Sequence, residues 1–229
     1  MKRTRPTDTS RRNKTLAILA GGTLVGVAVT ATLAAWTDTE WIYGGDGAGG
    51  PGVGTSTFEA ELNTVAPFDD DADFVNDETN PGQAIVFGLD ALALSPGDSV
   101  YAAVALRSAP DSVGGDLLLQ PAVAADGIAS DDPDGALTAA LELRVATSDT
   151  IADCDIDAFA AGATVIADGP LATAGATAEQ TLDADAGSVQ YYCFEITLPD
   201  DPTLPGGGTL DDLMGLTVAP AWEFEAESF

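Results

Sequence analysis

The sequence predicts an all-β protein, an antiparallel β-sandwich with one or two short helices. Apolar and polar residues alternate with the period of a half-buried strand in several segments of the chain. Gly, Pro and Asp residues, which favour turns, separate these segments. Apolar residues make up 45% of the 229 residues, which is too high for a disordered acidic tail and sufficient for one core. About seven to nine strands are expected, as in a sandwich.

The predicted strands follow one another along the second part of the chain. They are expected at residues 57–64, 84–94, 99–106, 116–125, 137–145, 192–198 and 216–224. Between the second and third strands, Pro96 and Gly97 suit the two central positions of a type II turn. Two alanine-rich segments, residues 136–141 and 157–161, are also compatible with short helices. The last strand is expected to bury one face, formed by Leu216, Val218, Trp222 and Phe224.

The charge balance excludes several classes of function. The chain has 8 Lys plus Arg, 37 Asp plus Glu and no His, for a net charge of −29. A surface this acidic repels nucleic-acid phosphates and anionic lipids, so we expect no nucleic-acid partner. Without His there is no Ser-His-Asp triad, no Cys-His couple and no histidine ligand for zinc. We therefore expect a protein that is not an enzyme.

The N-terminal residues have the layout of a secretory signal peptide. Six of the eight basic residues lie in the first 14 positions, and an apolar stretch at residues 16–33 follows them. Thr32 and Ala34 occupy the −3 and −1 positions of a small-residue cleavage site, so we expect cleavage between Ala34 and Ala35. This predicts a protein that is secreted, extracellular or at the cell surface, without a stable membrane anchor after cleavage.

Two alternatives to this signal peptide stay open. The 18 residues at positions 16–33 approach the minimum for an uncleaved transmembrane anchor, although several Gly and Thr residues reduce their apolarity. The residues Ser10, Arg11 and Arg12 suggest a twin-arginine signal, although Lys14 stands where that motif has an apolar residue. The chain after residue 34 contains two arginines and 36 acidic residues, which gives it a net charge of −34.

Cys154 and Cys193 are expected to form a disulfide. They are the two cysteines of a chain predicted to be exported, and an oxidising exterior favours pairing. A loop of about 40 residues closed in this way stabilises the fold by about 4 kcal/mol in the chain-entropy model. A redox or nucleophilic thiol is the alternative, but the chain has no CxxC spacing and no His partner.

The junction after the signal peptide resembles a known family. A Leu-Ala-Ala-Trp sequence ends the apolar stretch, and residues 35–43 read AWTDTEWIY. This combination resembles the signal peptides processed by the SipW-type signal peptidase in the TasA/camelysin family of secreted bacterial surface proteins. Residues 94–98 and 214–226 are similar to the family's turn before a strand and to its closing strand.

The resemblance carries expectations for fold, partners and function. It implies a jelly-roll arrangement of the sandwich, a SipW-type signal peptidase as a processing partner, and copies of the chain joined head-to-tail into fibres of a biofilm matrix by strand exchange. The domain organisation expected from these points is a signal peptide at residues 1–34, a candidate N-terminal donor strand at 35–43, a Gly-rich linker at 44–54 and a β-sandwich domain at 55–229.

The donor strand is expected to use one face. Seven of the eleven residues in 44–54 are Gly, so this linker is a flexible tether with a reach of roughly 20 Å. A tethered β-prone segment can add to the sheet edge of a neighbouring subunit. The residues expected in this assembly strand are Trp36, Thr37, Thr39, Trp41 and Tyr43. The face with Trp41 is favoured because the opposite face would bury Asp38 and Glu40. A disordered tail, or a strand that folds back on its own domain, is the alternative.

One acidic cluster is a weak calcium candidate. Asp69, Asp71 and Asp73 have the spacing of the first ligands of a calcium loop. Phe74 and Asn80 stand where an EF-hand needs Gly and Glu, so only a looser site, completed by Asp77 or Glu78, is compatible. A second cluster, residues 131–135, is interpreted first as a turn. No pair among the 36 acids is marked out for glycosidase chemistry. We expect no cofactor, with calcium as the one exception.

The sequence therefore predicts a secreted surface or matrix structural protein, a TasA-like fibre subunit that assembles by donor-strand exchange. A camelysin-like metallopeptidase is the alternative from another class, and the lack of His disfavours it. A monomeric, acidic wall-associated or calcium-binding protein is the third possibility.

Overall fold

The computed structural model describes residues 39–42, 44, 47–48, 50, 52–150 and 153–229. The chain divides into two units, Met1–Gly54 and Thr55–Phe229. The described part of the second unit contains ten strands, all paired antiparallel. They are β1 (Ala60–Asn63), β2 (Ser99–Ser108), β3 (Gly115–Leu119), β4 (Val123–Ala124), β5 (Glu142–Ser148), β6 (Thr164–Pro170), β7 (Gln180–Leu182), β8 (Val189–Thr197), β9 (Pro220–Ala221) and β10 (Phe224–Ser228).

Two sheets form the sandwich. One has five strands in the order β1-β2-β8-β5-β6, and the other has three in the order β10-β3-β7. A single core cluster joins them, with Phe194 and Leu143 from the first sheet and Leu117 and Leu182 from the second. A two-stranded ribbon, β4-β9, completes the strands. The expected all-β, antiparallel sandwich is confirmed, and short helices accompany it: α1 (Ala136–Ala140) and five 3-10 turns.

Alternation along β8 shows how the sequence selects the core face. Tyr192, Phe194 and Ile196 point to the core, as the alternation predicted. Each such side chain contributes about 2 kcal/mol through removal of its apolar surface from water. In the last segment, the expected buried face packs against the same core, and Thr217, Glu223 and Glu225 are exposed. That expectation is confirmed.

The predicted strand at residues 84–94 is wrong. Ile85 and Phe87 do pack against the core while Val86 is exposed, so the alternation identified the buried side chains correctly. Among the described residues, no strand forms a ladder with this segment. Gly88 has a φ of +85°, and the chain then turns into the 3-10 helix Leu89–Leu92. Alternation of apolar and polar residues predicts which side chains are buried, but a strand also needs a neighbouring strand that pairs with its backbone groups.

Other segments differ from the prediction in their boundaries. The segment 116–125 splits into β3 and β4 around Pro121, which lacks the N–H that a continuous strand needs. The segment 137–145 begins as α1 and becomes β5 only at Glu142. The segment 216–224 forms the short β9 and then enters β10. Strands β6 and β7 were not predicted from the sequence, because β6 contains Gly169 and Pro170 and β7 has only three residues.

The predicted turn before β2 is confirmed. The Asp98 N–H donates to the carbonyl of Ser95 at 2.9 Å, and Gly97 has a φ of +88°. A Cβ atom at Gly97 would also lie 2.8 Å from a carboxylate oxygen of Asp200. The positive φ favours Gly at the third position of the turn, whereas the exposed Asp200 side chain could move away from a Cβ atom.

The second acidic cluster caps helix α1. The carboxylate of Asp132 accepts hydrogen bonds from the Leu137 and Thr138 N–H groups, at 3.0 and 2.9 Å, and from the Thr138 hydroxyl at 2.7 Å. Burial raises the pKa of Asp132, but these hydrogen bonds outweigh burial and hold its pKa below the usual value of 3.8. The cluster interpreted as a turn is therefore a turn with a structural carboxylate.

Replacement of Asp132 should destabilise the fold in a pH-dependent way. At pH 7, Asp132→Ala is expected to lower the free energy of unfolding by about 1–2 kcal/mol, as for a lost helix cap. Because the folded pKa is depressed, this stabilisation is present above the unfolded pKa and disappears as the pH falls through the folded pKa. Urea denaturation at pH 7 and at about pH 2.5 measures the difference. The exposed neighbour Asp134, replaced by Ala, should change nothing; equal effects at both pH values would contradict the role of the ionised carboxylate.

The disulfide links the connection between β5 and β6 to the outer face of the five-stranded sheet. Cys154 and Cys193 are bonded, with Cα atoms 5.2 Å apart, which confirms the expected pair. Cys193 lies in the middle of β8, the third strand of the five-stranded sheet. Cys154 belongs to the connection between β5 and β6, which also contains the 3-10 helix Ile156–Phe159. The bridge therefore holds this connection on the sheet.

Replacement of both cysteines by Ser should lower thermal stability without preventing self-assembly. The expected loss is up to about 4 kcal/mol, because the unfolded chain gains the freedom of a loop with a sequence separation of 39. Thermal unfolding of the Cys154→Ser, Cys193→Ser protein measures the loss. Thiol titration of the denatured, unreduced wild type is the control, and two free thiols per chain would contradict the bridge.

Candidate assembly site

The N-terminal segment presents large apolar side chains to solvent. Trp41 is 89% exposed and Ile42 is 98% exposed. Thr39 is also exposed. The other expected assembly residues, Trp36, Thr37 and Tyr43, lie outside the described residues, as do Ala34 and Ala35 of the expected cleavage site. Adjacent Trp and Ile side chains in water are unfavourable, which makes this segment a candidate for docking.

The described part of the Gly-rich linker matches its composition. Gly47 has a φ of +82°, and the Gly52 N–H donates to the carbonyl of Gly44 at 3.1 Å. Val53 is 87% exposed. A segment with so few side chains has little to pack with, as the tether hypothesis requires.

The sheet edges differ in how they are covered. At the β1 edge, Leu62 exchanges two 2.9 Å backbone hydrogen bonds with Val75. At the β6 edge, the Ile166 carbonyl accepts from the Thr177 N–H at 2.9 Å. Strand β7 has only three residues. Within the described residues, β10 is the longest edge strand with no backbone hydrogen bond on its outer side. Such an edge is a template for another strand.

The register of β10 shows which groups are free. The Glu223 carbonyl accepts from the Gln120 N–H at 2.8 Å, and Glu225 stands opposite Leu118 in β3. Antiparallel pairing alternates inward and outward backbone groups. The N–H and C=O groups of Ala226 therefore point away from β3, as do those of the residues two positions before and after it.

The inner face of β10 is only partly covered. Phe224 packs on Tyr192, with ring centroids 4.8 Å apart. Ala226 and Ser228 share that face, and both are exposed. Beyond Phe224, the side chains of β10 on this face are small, and the ring of Phe58 lies on the core face at Gly115, opposite Ser228. The alternation of Phe224, Ala226 and Ser228 continues to the end of the strand.

The first acidic cluster is tied to the sheet through Arg107. This guanidinium contacts the carboxylates of Glu61 at 3.1 Å and Asp71 at 2.5 Å, and it lies 4.0 Å from the ring centroid of Phe74. Asp70 accepts from the Ala72 N–H at 2.9 Å and begins the 3-10 helix Asp71–Asp73. The cluster therefore anchors a loop to β1 and β2.

The calcium candidates do not converge. Asp69, Asp71 and Asp73 are part of the loop just described, and Asp71 is engaged by Arg107. Across the described ranges, no three His, Cys, Asp or Glu side chains are grouped so as to hold a metal ion. Calcium binding stays a prediction.

The second arginine, Arg144, belongs to a cluster on the outer face of the five-stranded sheet. Arg144 forms an ion pair with Glu195, whose side chain is 2% exposed, and it lies 4.6 Å from the ring centroid of Phe159. The Tyr101 hydroxyl donates to Glu195 at 2.8 Å. Burial raises the pKa of Tyr101, and this hydrogen bond to a carboxylate raises it further. The bond to Glu195 raises the pKa of Arg144. These groups are mutually satisfied, which makes the cluster structural.

A search against protein-family models found no match, and no curated protein matched the chain. The TasA/camelysin resemblance therefore depends on the residues of the signal junction. Among the described residues, none of the helices has the length and apolarity needed to cross a bilayer.

Proposed function

We propose that this chain is a secreted surface or matrix structural protein, a TasA-like, jelly-roll-like subunit whose copies assemble head-to-tail into filaments. In this assembly, residues 35–43 of one copy add as a strand to β10 of the next copy. The observation that carries the proposal is the outer edge of β10, which no strand among the described residues covers and which has small, exposed side chains at Ala226 and Ser228.

The exposed aromatic residue of the N-terminal segment complements this edge. In the proposed assembly the face with Trp41 is directed inward, and the indole would pack on β10 beside the small, exposed side chains of Ala226 and Ser228. Burial of a Trp side chain is favourable by about 2–3 kcal/mol or more. Because the donor and the acceptor are different segments of the subunit, each copy can join two others head-to-tail, and such contacts give a filament when the rotation between copies does not close.

The charges of the two strands explain why assembly should depend on ions. Glu225 and Glu227 are exposed on the outer face of β10. With Trp41 inward, Asp38 and Glu40 of the donor fall on that same outer face. Like charges on neighbouring strands are unfavourable, and the net charge of −34 adds repulsion between whole subunits. Salt screens both effects, and calcium neutralises them.

Imaging of the purified mature protein, residues 35–229, tests the proposal. Filaments are expected in negative stain at physiological salt, with more polymer at higher salt or with calcium and less at low ionic strength. Light scattering of the same samples measures the amount of polymer. A protein that stays monomeric across salt, calcium and pH would contradict the filament proposal and favour a monomeric wall-associated role.

A further inference from the structure

Residues 84–88 form a strand-like segment that has no paired strand beside it. Ile85 and Phe87 pack against the core, whereas Val86 between them is 76% exposed. Among the described residues, the backbone N–H and C=O groups of residues 84–87 make no hydrogen bond. Alternate burial with unpaired backbone groups is typical of an edge strand, and such a strand can pair with another chain. The segment is therefore a second candidate for strand addition.

This segment contacts the chain next to β10. The rings of Phe87 and Trp222 pack together, with centroids 6.4 Å apart, and Trp222 lies two residues before the start of β10 at Phe224. All three side chains pack against the same core cluster. On the β3 side of this part of the chain, the Glu223 carbonyl already accepts from the Gln120 N–H. The segment and β10 thus cover neighbouring parts of one core, and no backbone hydrogen bond joins them in the part of the chain that the structure describes.

The segment differs from β10 in charge. Residues 79–89 contain no Asp, Glu, Lys or Arg, whereas Glu225 and Glu227 are exposed on the outer face of β10. A donor strand with Asp38 and Glu40 on its outer face meets like charges on its β10 side, and none on the side of an uncharged neighbour. The uncharged segment is therefore the more favourable of the two neighbours for an acidic donor.

The apolar side chains of the donor and the segment also match. With Trp41 directed inward, Ile42 of the donor, which is 98% exposed, falls on the outer face of the sheet. Val86 falls on that face as well, because its neighbours Ile85 and Phe87 point to the core. Contact between the two exposed side chains removes both from water, which the acidic outer face of β10 alone does not offer.

We propose that, in the filament, residues 84–87 pair with the free edge of the docked donor strand, so that residues 35–43 of the neighbouring copy lie between β10 and this segment. This inference rests on the filament function proposed above. Both edges of the donor then have partners, which removes the exposed edge that addition to β10 alone would leave. Main-chain hydrogen bonds to the segment and the contact between Ile42 and Val86 hold the donor in its site.

Hydrogen–deuterium exchange measured by mass spectrometry tests the pairing. Filaments of the mature protein are compared with the same protein kept unpolymerised at low ionic strength and the same pH, and the exposed residues 126–130 serve as the internal reference. We expect the amides of residues 85–87 to exchange at least about tenfold more slowly in the filament. Filaments in which these amides exchange as fast as in the unpolymerised protein would overturn this inference and leave the filament function standing. Absence of filaments in every condition would contradict the function itself, and the inference with it.

A double-mutant cycle tests the side-chain contact. Ile42→Ala and Val86→Ala should each raise the critical concentration for assembly about threefold or more, and the double variant should raise it by less than the product of the two single effects. Val86 is exposed, so its truncation should leave thermal unfolding unchanged. Val123→Ala, at an exposed valine in β4, is the matched control and should assemble like the wild type. Single effects that multiply fully in the double variant would show that the two side chains do not meet, and would overturn the proposed contact.

Discussion

Removal of residues 35–43 should abolish filament formation and leave the sandwich folded. The core of Thr55–Phe229 is assembled from its own strands, so thermal stability of the shortened protein should match that of the mature chain. The filament should be lost because the donor's backbone hydrogen bonds and its Trp41 anchor are absent. Negative stain and light scattering under conditions where the mature chain polymerises measure this loss.

Two further variants distinguish the role of the donor strand from the role of the Gly-rich tether. Trp41→Ala alone should weaken polymerisation strongly, because most of the buried apolar surface of the donor is removed. A chain with residues 47–54 shortened by two glycines keeps the donor and should still polymerise. Polymerisation of the shortened chain lacking 35–43 to the wild-type extent would show that another segment joins the subunits.

Replacement of Ala226 by Pro should block polymerisation from the acceptor side. The N–H of Ala226 points away from β3, so Pro removes a donor that the incoming strand needs and places its ring in the path of that strand. The β3–β10 ladder keeps its bonds, since Pro is tolerated on an edge strand when its nitrogen faces solvent. We expect the critical concentration for assembly to rise about tenfold or more, with unfolding changed by less than about 1 kcal/mol.

Ala226→Ser is the control at the same position, because it keeps both the N–H and a small side chain. It should polymerise like the wild type. Wild-type polymerisation of Ala226→Pro would place the acceptor at another edge without contradicting donation by residues 35–43. Mixing the Pro variant with the wild type tests the direction of filament growth. The variant still carries a donor strand, so it should add to one end of a growing wild-type filament. Its own acceptor edge is blocked, so it should cap that end and shorten the filaments.

The sequence predicted burial better than it predicted pairing. Side chains such as Phe87, Phe194 and Trp222 lie in or against the core, as alternation indicated. Whether a segment joins a sheet depends on the backbone of a distant segment, which local pattern does not contain. Residues 84–94 therefore kept the buried side chains expected of a strand and lost the ladder. The short β7 has too few residues to show any period.

The same difference between local and long-range information applies to the candidate sites. The donor segment was visible in the sequence because Trp41, Ile42 and the Gly-rich linker are contiguous. The acceptor edge was not visible in the sequence, since β10 is an edge strand only because no other described strand pairs with its outer side. The role of Asp71 was also hidden, because its partner Arg107 is 36 residues away and meets it only when β2 is in place.

The two arginines held by carboxylates are the only basic side chains in the sequence after residue 34, so that part of the chain is almost without a group whose reference pKa lies near neutrality. It has no Lys and no His there, so its amino terminus is the exception. The reference pKa values of carboxyl groups lie near 4 and those of tyrosine near 10, so neither kind of side chain has a reference value near neutrality. The molecule thus has very little buffering capacity near neutrality. Acidification of the surroundings by a few tenths of a pH unit leaves its self-repulsion unchanged, whereas dissolved ions alter it directly.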